Sequence, residues 1–201
     1  MNDRRVRIAR AYKKVCVIFL SQKSFMEVFM KQLKKDDIQP QKEKRVSIRK
    51  VRIREMKELF ELKKEAFLPI LKKYQDEDTN PARETIDKLC MQLSQMETEY
   101  YMIRFDEKQV GAVRVVQREE ETFRISPVFI LEKYQNMGIA SFAMKQIFQM
   151  YQEAEKWELC TIQEEKRNCH FYEKLGFLAT GNTKTINDKM TLIEYVKEMD
   201  K

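Results

Sequence analysis

Apolar positions along residues 46–198 switch repeatedly between the period of a strand and that of a helix. The β-branched run at 46–53 predicts a first strand. Apolar residues at helical spacing follow, and Pro69 falls inside that pattern, so we expect two helical pieces there. Asn80 followed by Pro81 predicts a further helix, because asparagine caps helix N-termini and proline suits the first helical position. The apolar stripe of that helix is Ile86, Leu89, Cys90 and Leu93.

Three runs at hairpin spacing come next. Residues 100–105, 110–116 and 123–131 predict an antiparallel meander of three strands. Pro127 lies within the third run, and a proline inside a strand removes a ladder hydrogen bond. We therefore expect a bulge there, or a neighbouring strand that moves away. Either would leave main-chain groups of residues 128–131 free to pair with an extended ligand.

The last third of the chain predicts a helix and the strands that complete a sheet. Apolar residues at helical spacing follow Gly138, and the strand expected at 157–162 should run parallel to the strand before that helix. A short helix over 168–175 and strands at 177–180 and 190–196 follow. The whole predicts an α/β (α+β) fold, a mixed sheet with helices on both faces.

The loop between the third meander strand and the next helix has the features of an anion site. A strand that runs into a helix N-terminus leaves backbone N–H groups without partners, and the helix dipole adds partial positive charge there. A glycine at this point lets the backbone approach an anion without an intervening side chain. We therefore expect a phosphate group at the loop formed by Gln135, Asn136, Met137, Gly138, Ile139 and Ala140.

The net charge of +7 comes from the first part of the chain. Residues 1–45 contain 13 Lys and Arg against 5 Asp and Glu, whereas residues 46–201 contain 26 against 27. We therefore expect two parts, a basic N-terminal extension over 1–45 and a nearly neutral domain over 46–201. The neutral domain has no bulk electrostatic reason to bind nucleic acid, although the basic arm alone could contact phosphates.

The extension contains one apolar run, residues 15–20, which is too short to span a membrane and short for a signal-peptide core. We therefore expect a cytoplasmic protein without a membrane partner. Apolar residues at helical spacing over 25–33 leave two interpretations of the extension open. It is either a poorly ordered tail or a short helix that docks or binds a partner.

Cysteine and histidine are too sparse for several classes of site. Four cysteines without a CxxC pair predict neither a disulfide framework nor a zinc site. A single histidine, His170, excludes metal centres built from several histidines. We therefore expect no metal cofactor.

Two motifs resemble those of the GCN5-related N-acetyltransferase (GNAT) superfamily. The strand–loop–helix unit containing QNMGIA matches its Q/R-x-x-G-x-G/A pattern. Residues 171–177, FYEKLGF, resemble a second family segment at the expected distance downstream. The resemblance covers roughly residues 46–198, with the same order of elements. It implies the GNAT fold, a twisted and mostly antiparallel sheet of about six to seven strands with one splayed parallel pair.

The resemblance also implies an acyltransferase that moves the acetyl group of acetyl-CoA to a primary amine by direct attack in a ternary complex. The pyrophosphate would rest on residues 135–140, and the pantetheine arm would pair with main chain of Phe129, Ile130 and Leu131. Tyr172 takes the position of the family's general acid, which protonates the departing thiolate. The acceptor would be a small molecule, a protein N-terminus or a lysine side chain, and a homodimer is left open.

Several residues near the tyrosine depart from the family pattern or leave their roles open. Glu165 stands where many members carry an asparagine, and Asn168 is carried over only as a weaker candidate for coenzyme contact. Glu164 is a weak candidate for the general base, residues 119–121 are further available carboxylates, and a water chain could do the same work. His170 is interpreted as structural or as a surface residue.

Two other functions stay open. A catalytically silent module of the same fold would bind the acyl-CoA without acetylating an amine, and a nucleic-acid-associated protein would act through the basic arm. The acidic residues Asp76, Glu77 and Asp78 form either a solvated loop or a surface that attracts cationic amines. The loops at 76–80 and 182–189 are expected to select the acceptor, and no motif in them identifies it.

Overall fold

The computed structural model describes residues 45–199, which form a seven-stranded sheet flanked by helices. The basic extension, with its two interpretations as a tail or a docking helix, lies outside the described residues up to position 44. The strands are β1 (Val46–Lys50), β2 (Thr98–Phe105), β3 (Lys108–Glu119), β4 (Thr122–Ile130), β5 (Lys156–Ile162), β6 (Leu178–Asn187) and β7 (Met190–Glu198).

The strand order across the sheet is β1-β2-β3-β4-β5-β7-β6. Every neighbouring pair is antiparallel except β4 and β5, which are parallel as the strand–helix–strand crossover predicts. The described chain therefore confirms a mixed, mostly antiparallel sheet of seven strands with one parallel pair.

Helices cover both faces of this sheet. One face carries α1 (Met56–Tyr74) and α2 (Ile86–Ser94), whose buried Leu59 and Leu89 pack with Met102 of β2. The other face carries α3 (Ile139–Met150) and α4 (Lys166–Lys174), around the fully buried Trp157 and Phe177. Short 3₁₀ turns occupy Ile53–Glu55, Pro81–Arg83 and Glu132–Tyr134.

Helix α1 continues through Pro69, so the expected break into two pieces is wrong. A proline inside a helix removes one hydrogen bond and crowds the preceding turn. The helix is nevertheless anchored by tertiary contacts on both sides of Pro69. Leu59 and Leu62 are buried upstream, and Tyr74 is buried downstream, where its carbonyl oxygen accepts from Asn187 Nδ2 at 3.0 Å. These tertiary contacts outweigh the local cost of the proline.

Helix α2 begins later than the Asn80-Pro81 signal predicts. Asn80 does cap a turn, because its side chain accepts from a backbone N–H two residues on at 2.9 Å, but that turn is a short 3₁₀ helix. The chain then extends through Glu84, and the Thr85 hydroxyl caps α2 by accepting from the N–H three residues on at 3.2 Å. The extended step has a use, since it places the Glu84 carboxylate beside Lys63.

The parallel pair is short and then opens. Thr122–Ile125 of β4 pairs with Lys156–Leu159 of β5, and the pairing stops there although both strands continue. On its other side, β4 shifts register against β3 between Val113 and Val115. The bulge and the parting of strands that Pro127 predicts are therefore both confirmed.

The closing hairpin of β6 and β7 is longer than the sequence pattern predicts. Strand β6 covers most of the stretch 182–189, which was expected to be a loop. The register of the pair shifts between Ala179 and Thr183, and Gly181 between them has a φ of 87°. Strand β6 is one of the two outer strands of the sheet, and the side chains of its first eight residues are exposed.

A buried ion pair joins α1 to the segment before α2. Lys63 is 1% exposed, and its Nζ donates to Glu84, which also pairs with Lys88 at 3.1 Å. Burial lowers the pKa of Lys63 below its usual value. Burial opposes ionisation of Glu84 as well, but the hydrogen bond from Lys63 brings the pKa of that carboxyl below its usual value. The pair is therefore ionised at neutral pH and holds two elements together.

Replacing Glu84 with alanine should destabilise the protein by about 3–5 kcal/mol, because it leaves the Lys63 ammonium buried without a partner. The matched control is Glu77→Ala, which removes the carboxylate of an exposed pair with Arg83 and should cost about 0–1 kcal/mol. Urea denaturation of the three proteins measures the free energy of unfolding. Equal losses in the two variants would contradict the importance of the buried pair.

Candidate active site

The loop before α3 presents unpaired amide groups. Gly138 is the N-cap of α3 with a φ of 77°, and Asn136 has a φ of 62°, so two left-handed residues turn the chain into the helix. The first helical hydrogen bond runs from Phe142 N to Gly138 O at 3.1 Å. The amides of residues 139–141 consequently have no carbonyl partner within the described chain. This is the geometry that an anion needs at a helix N-terminus.

The side chains of this loop divide between core and surface. Ile139 is 1% exposed and anchors the first turn of α3, and Ala140 is half-buried. The outer side of the loop is formed by exposed residues. These are Gln135, Asn136, Met137 and Gly138.

Main-chain groups of β4 face the gap that opens beside β5. The Leu131 amide donates to a β3 carbonyl oxygen at 2.8 Å. Because successive residues of a strand direct their main-chain groups to alternate sides, those of Val128 and Ile130 face the gap, and those of Phe129 face β3. The Ile130 carbonyl oxygen accepts from Gln135 Nε2 at 2.9 Å. Of the three residues predicted to contact an extended ligand, Ile130 presents its main chain to the gap.

Strand β3 approaches this part of β4 very closely at Gly111. A Cβ atom on Gly111 would lie 2.1 Å from the Phe129 carbonyl oxygen and 2.8 Å from Ile130 Cδ1. A side chain there would push β4 away from β3. Glycine at this position thus lets β4 stay with β3 while it separates from β5.

Tyr172 lies on α4 in a cluster of aromatic rings. Its ring centroid is 5.0 Å from that of Phe171, 6.0 Å from that of Phe177 and 6.3 Å from that of Tyr195. The residue is 8% exposed, and its hydroxyl has no hydrogen-bond partner within residues 45–199. Burial raises the pKa of Tyr172 above its ordinary value, so the hydroxyl keeps its proton at neutral pH.

Comparison with known families decides what kind of domain this is. A sequence model of the acetyltransferase (GNAT) family matches residues 56–177, more than half of the chain. The chain belongs to the acetyltransferase (GNAT) family. No curated protein sequence matches it. The family that the two motifs predicted is therefore confirmed.

Solved GNAT structures share this fold at low sequence identity. Spermidine N-acetyltransferase from Vibrio cholerae, in complex with CoA and spermine, has a TM-score of 0.62 and 14% identity, covering 77% of this chain and 96% of that one. The acetyl transferase from Salmonella typhimurium that modifies the N-terminal serine of ribosomal protein L7/L12 has a TM-score of 0.63 and 15% identity, covering 78% of this chain and 96% of that one. A GNAT family acetyltransferase from Elizabethkingia anophelis with acetyl-CoA bound has a TM-score of 0.55 and 17% identity, covering 77% of this chain and 99% of that one.

Glu165, which departs from the GNAT motif, links α4 to α1. Its Oε1 accepts from Tyr74 Oη at 2.7 Å and from Lys73 Nζ at 2.5 Å. Burial acts to raise the pKa of Glu165, but these two donors lower it overall. Asn168 is exposed one turn further on, where its backbone N–H donates to the Glu165 carbonyl oxygen at 2.8 Å. Glu165 therefore has a structural role, because it joins the start of α4 to the end of α1.

Arg167 is a candidate site residue that the two motifs do not predict. From the first turn of α4 its Nη2 donates to Gln135 Oε1 at 2.9 Å. Gln135 also donates to the Ile130 carbonyl oxygen. These contacts join β4, α4 and residues 135–140, which we call the anion loop, around one end of the gap. Lys166 and Arg167 begin α4, where the helix dipole disfavours cations. Two cations at an unfavourable helix start are a sequence signal that could have pointed to a role for Arg167.

The candidate bases of this GNAT domain differ in their surroundings. Glu164 accepts from the Thr191 backbone N–H at 3.1 Å, and this bond lowers the pKa of the carboxyl, which makes it a weaker base. Residues 119–121 form the end of β3 and the turn into β4, at the end of β4 remote from the anion loop. His170 is exposed, and its Nδ1 lies 3.8 Å from Glu173 Oε2, a position that fits a surface residue.

The acidic loop ahead of α2 is a folded turn. Asp76 is 3% exposed, and it accepts from the Thr79 backbone N–H at 2.8 Å and from the Thr79 hydroxyl. Glu77 forms an ion pair with Arg83. Within the described residues, Asp78 is the member of the trio without such a partner. Two of the three carboxylates therefore serve the local structure.

No three His, Cys, Asp or Glu side chains between residues 45 and 199 gather into a group that could hold a metal ion. None of the helices in that same range combines the length and apolar character needed to cross a bilayer.

Proposed function

We propose that this chain transfers the acetyl group of acetyl-CoA to a primary amine, by direct attack within a ternary complex. The observation that carries the proposal is the gap between β4 and β5, which has amide-rich backbone at the anion loop and Tyr172 on the helix beside β5. Membership of the acetyltransferase family supports this class of reaction. We place the activity in residues 46–201.

Acetyl-CoA fits the groups around the gap. Its pyrophosphate would accept from the amides of residues 139–141, and Arg167 lies close enough to add a positive charge. Its pantetheine arm would pair with the main chain of Val128 and Ile130, in place of the missing strand. Phe129 and Leu131 would hold β4 in position through their buried side chains. The related structures that contain CoA or acetyl-CoA support this assignment.

The coenzyme supplies an activated acetyl thioester, and the protein has to bind and polarise it. The amine nitrogen bonds to the thioester carbonyl carbon, the carbon–sulfur bond breaks, and the nitrogen loses a proton. An amide that faces the gap, from Val128 or Ile130, donates to the carbonyl oxygen as negative charge develops there. Each such donor is worth about 3 kcal/mol of transition-state stabilisation.

Tyr172 donates its proton to the departing thiolate. Its hydroxyl is neutral and uncommitted within the described chain, so no internal hydrogen bond has to break first. Burial raises the pKa of Tyr172, which by itself weakens an acid. A thiolate that departs into the same low-dielectric region has its own pKa raised for the same reason, so donor and acceptor remain matched.

The proton of the amine has two routes away from the nitrogen. Glu164 stays a weak candidate for the base, because its bond to Thr191 favours the carboxylate form. A chain of water molecules along the gap would serve without any side-chain base. A neutral amine at moderately high pH needs neither route before it attacks.

The acceptor proposed here is an amine on a small molecule or on a protein. The enzyme from Vibrio cholerae is named for spermidine, and the one from Salmonella typhimurium modifies an N-terminal serine, so the fold serves amines of both sizes. Fold alone does not select between them.

Replacing Tyr172 with phenylalanine should lower kcat about 10²–10⁴-fold and leave the affinity for acetyl-CoA nearly unchanged, because only the proton donor is lost. Release of the coenzyme thiol measures turnover, and isothermal titration measures binding. The control is Tyr195→Phe, which removes a hydroxyl from the same aromatic cluster, where it donates to Glu173 at 3.0 Å, and should turn over like wild type.

Wild-type turnover in Tyr172→Phe would remove the proposed role of the hydroxyl. Tight acetyl-CoA binding by the wild-type protein without acetylation of any small amine or peptide would instead identify a catalytically silent module of the same fold.

Replacing Arg167 with alanine should weaken acetyl-CoA binding about 10- to 100-fold, the usual worth of a hydrogen bond to a charged group. Binding of S-acetylpantetheine, which lacks the phosphates, should not change. The control is Lys174→Ala, at the far end of the same helix. An equal loss with both thioesters would show that Arg167 acts through the fold and not on phosphate.

A further inference from the structure

A pocket of about 330 Å³ opens on the sheet face opposite α3 and α4. Leu159 is buried beneath those helices, so Cys160, its neighbour along β5, points to the opposite face. On that face α1 and α2 pack mainly against β2, β3 and β4. The end of α1 reaches β6 at Asn187, whereas Cys160, Asn182 and Lys184 around the pocket are exposed. The pocket is lined by Arg124, Cys160, Asn182, Lys184 and Glu194, among others.

This pocket begins where the gap begins. Arg124 belongs to the parallel pairing of β4 and β5, whose last rung is Ile125 with Leu159. Cys160 is the first β5 residue beyond that rung, and Arg124 Nη2 lies 3.1 Å from its Sγ. A molecule in the pocket therefore lies beside the opening of the gap and can reach it from the exposed part of the face opposite α3 and α4.

The pocket contains one anionic group held in place by neutral donors. Glu194 accepts from Asn182 Nδ2 at 2.8 Å and from Thr180 Oγ1 at 3.0 Å. These bonds, with a smaller contribution from Arg124, lower the pKa of Glu194. The carboxylate is charged at neutral pH and can attract the ammonium form of an amine.

Neither cation of the pocket forms an ion pair within the described residues, although the charge of Arg124 does act on the nearby Glu194. The hydrogen bond of Arg124 goes to the thiol of Cys160, which is a weak acceptor. A guanidinium carries five donors in a planar fork that matches a carboxylate. The pocket thus offers an anion site beside an ammonium site.

We propose that the acceptor amine also carries a carboxylate, which Arg124 and Lys184 bind while Glu194 attracts the amino group. This inference rests on the acetyl transfer proposed above and names its acceptor class, amines of the amino-acid type in preference to polyamines. The transfer balances, since one acetyl group moves from sulfur to nitrogen, Tyr172 protonates the thiolate, and the proton that the amine loses returns to the tyrosinate through Glu164 or water.

Two pairs of acceptors that differ only in a carboxylate test this proposal. They are lysine with cadaverine and ornithine with putrescine. With the full-length protein, the amino acid of each pair should have a kcat/KM about 10- to 100-fold above that of its diamine, the usual size of a charge-assisted hydrogen bond. Acetylation is followed by thiol release, and binding of each acceptor is followed separately by titration in the presence of CoA.

Two variants separate the anion site from the ammonium site. Arg124→Gln should lower the affinity and kcat/KM for the amino acids to those of the diamines and leave the diamines unchanged. Glu194→Gln should weaken amino acids and diamines alike. Arg118→Gln, on the exposed end of β3, is the matched control and should behave as wild type. Unchanged acetyl-CoA binding in all three shows that the fold is intact.

The binding readout distinguishes failure of the acceptor class from failure of the proposed transfer. Diamines that bind as well as amino acids, absence of binding by either, or an equal loss of both in Arg124→Gln would overturn the proposal. Selective binding of amino acids that disappears in Arg124→Gln supports it. The same selective binding without acetylation would keep the pocket and contradict acetyl transfer.

Discussion

Strands β4 and β5 share four paired rungs, the last of which joins Ile125 to Leu159, and then separate inside the sheet. Unpaired main-chain groups in a protein interior are costly, so such a gap persists only where other contacts enforce it. Here β5 remains paired with β7 throughout, and β4 is kept against β3 by the close approach at Gly111. The separation is therefore imposed from both sides, and it leaves main-chain groups of β4 facing the gap without a partner strand.

The gap opens onto both faces of the sheet, and these two faces have different properties. The face under α3 and α4 is apolar and aromatic, and it places Tyr172 in a low-dielectric surrounding. On the opposite face, α1 and α2 pack mainly against β2, β3 and β4, and the strands beyond them carry charged side chains such as Glu194. In the function proposed above, donor chemistry and acceptor selection depend on side chains of opposite sheet faces, so that each can change without the other.

Local rules predicted those parts of the fold that depend on nearby residues. Pro127 predicts the bulge and the parting strands because the missing N–H acts within its own strand, and the glycine loop before α3 is likewise a local feature. The helix break predicted from Pro69 is wrong because Tyr74 is held by Asn187, more than a hundred residues away. The late start of α2 depends on the distant Lys63 in the same way.

The candidate site follows the same division. The anion loop and the position of Tyr172 are carried by short motifs and could be predicted from them. The contact of Arg167 with Gln135 requires α4 and the loop to meet across the gap, and the pocket at Cys160 requires the register of three strands. Such long-range registers leave no pattern in a single sequence.

The irregularity of β6 has a consequence for association between molecules. A straight outer strand presents a continuous row of main-chain donors and acceptors to any other strand in solution. The register shift around Gly181 divides β6 into two short pieces, and Lys184 adds a charge to the second. Neither piece is long enough to act as a good template, so this edge of the sheet is protected against growth into aggregates.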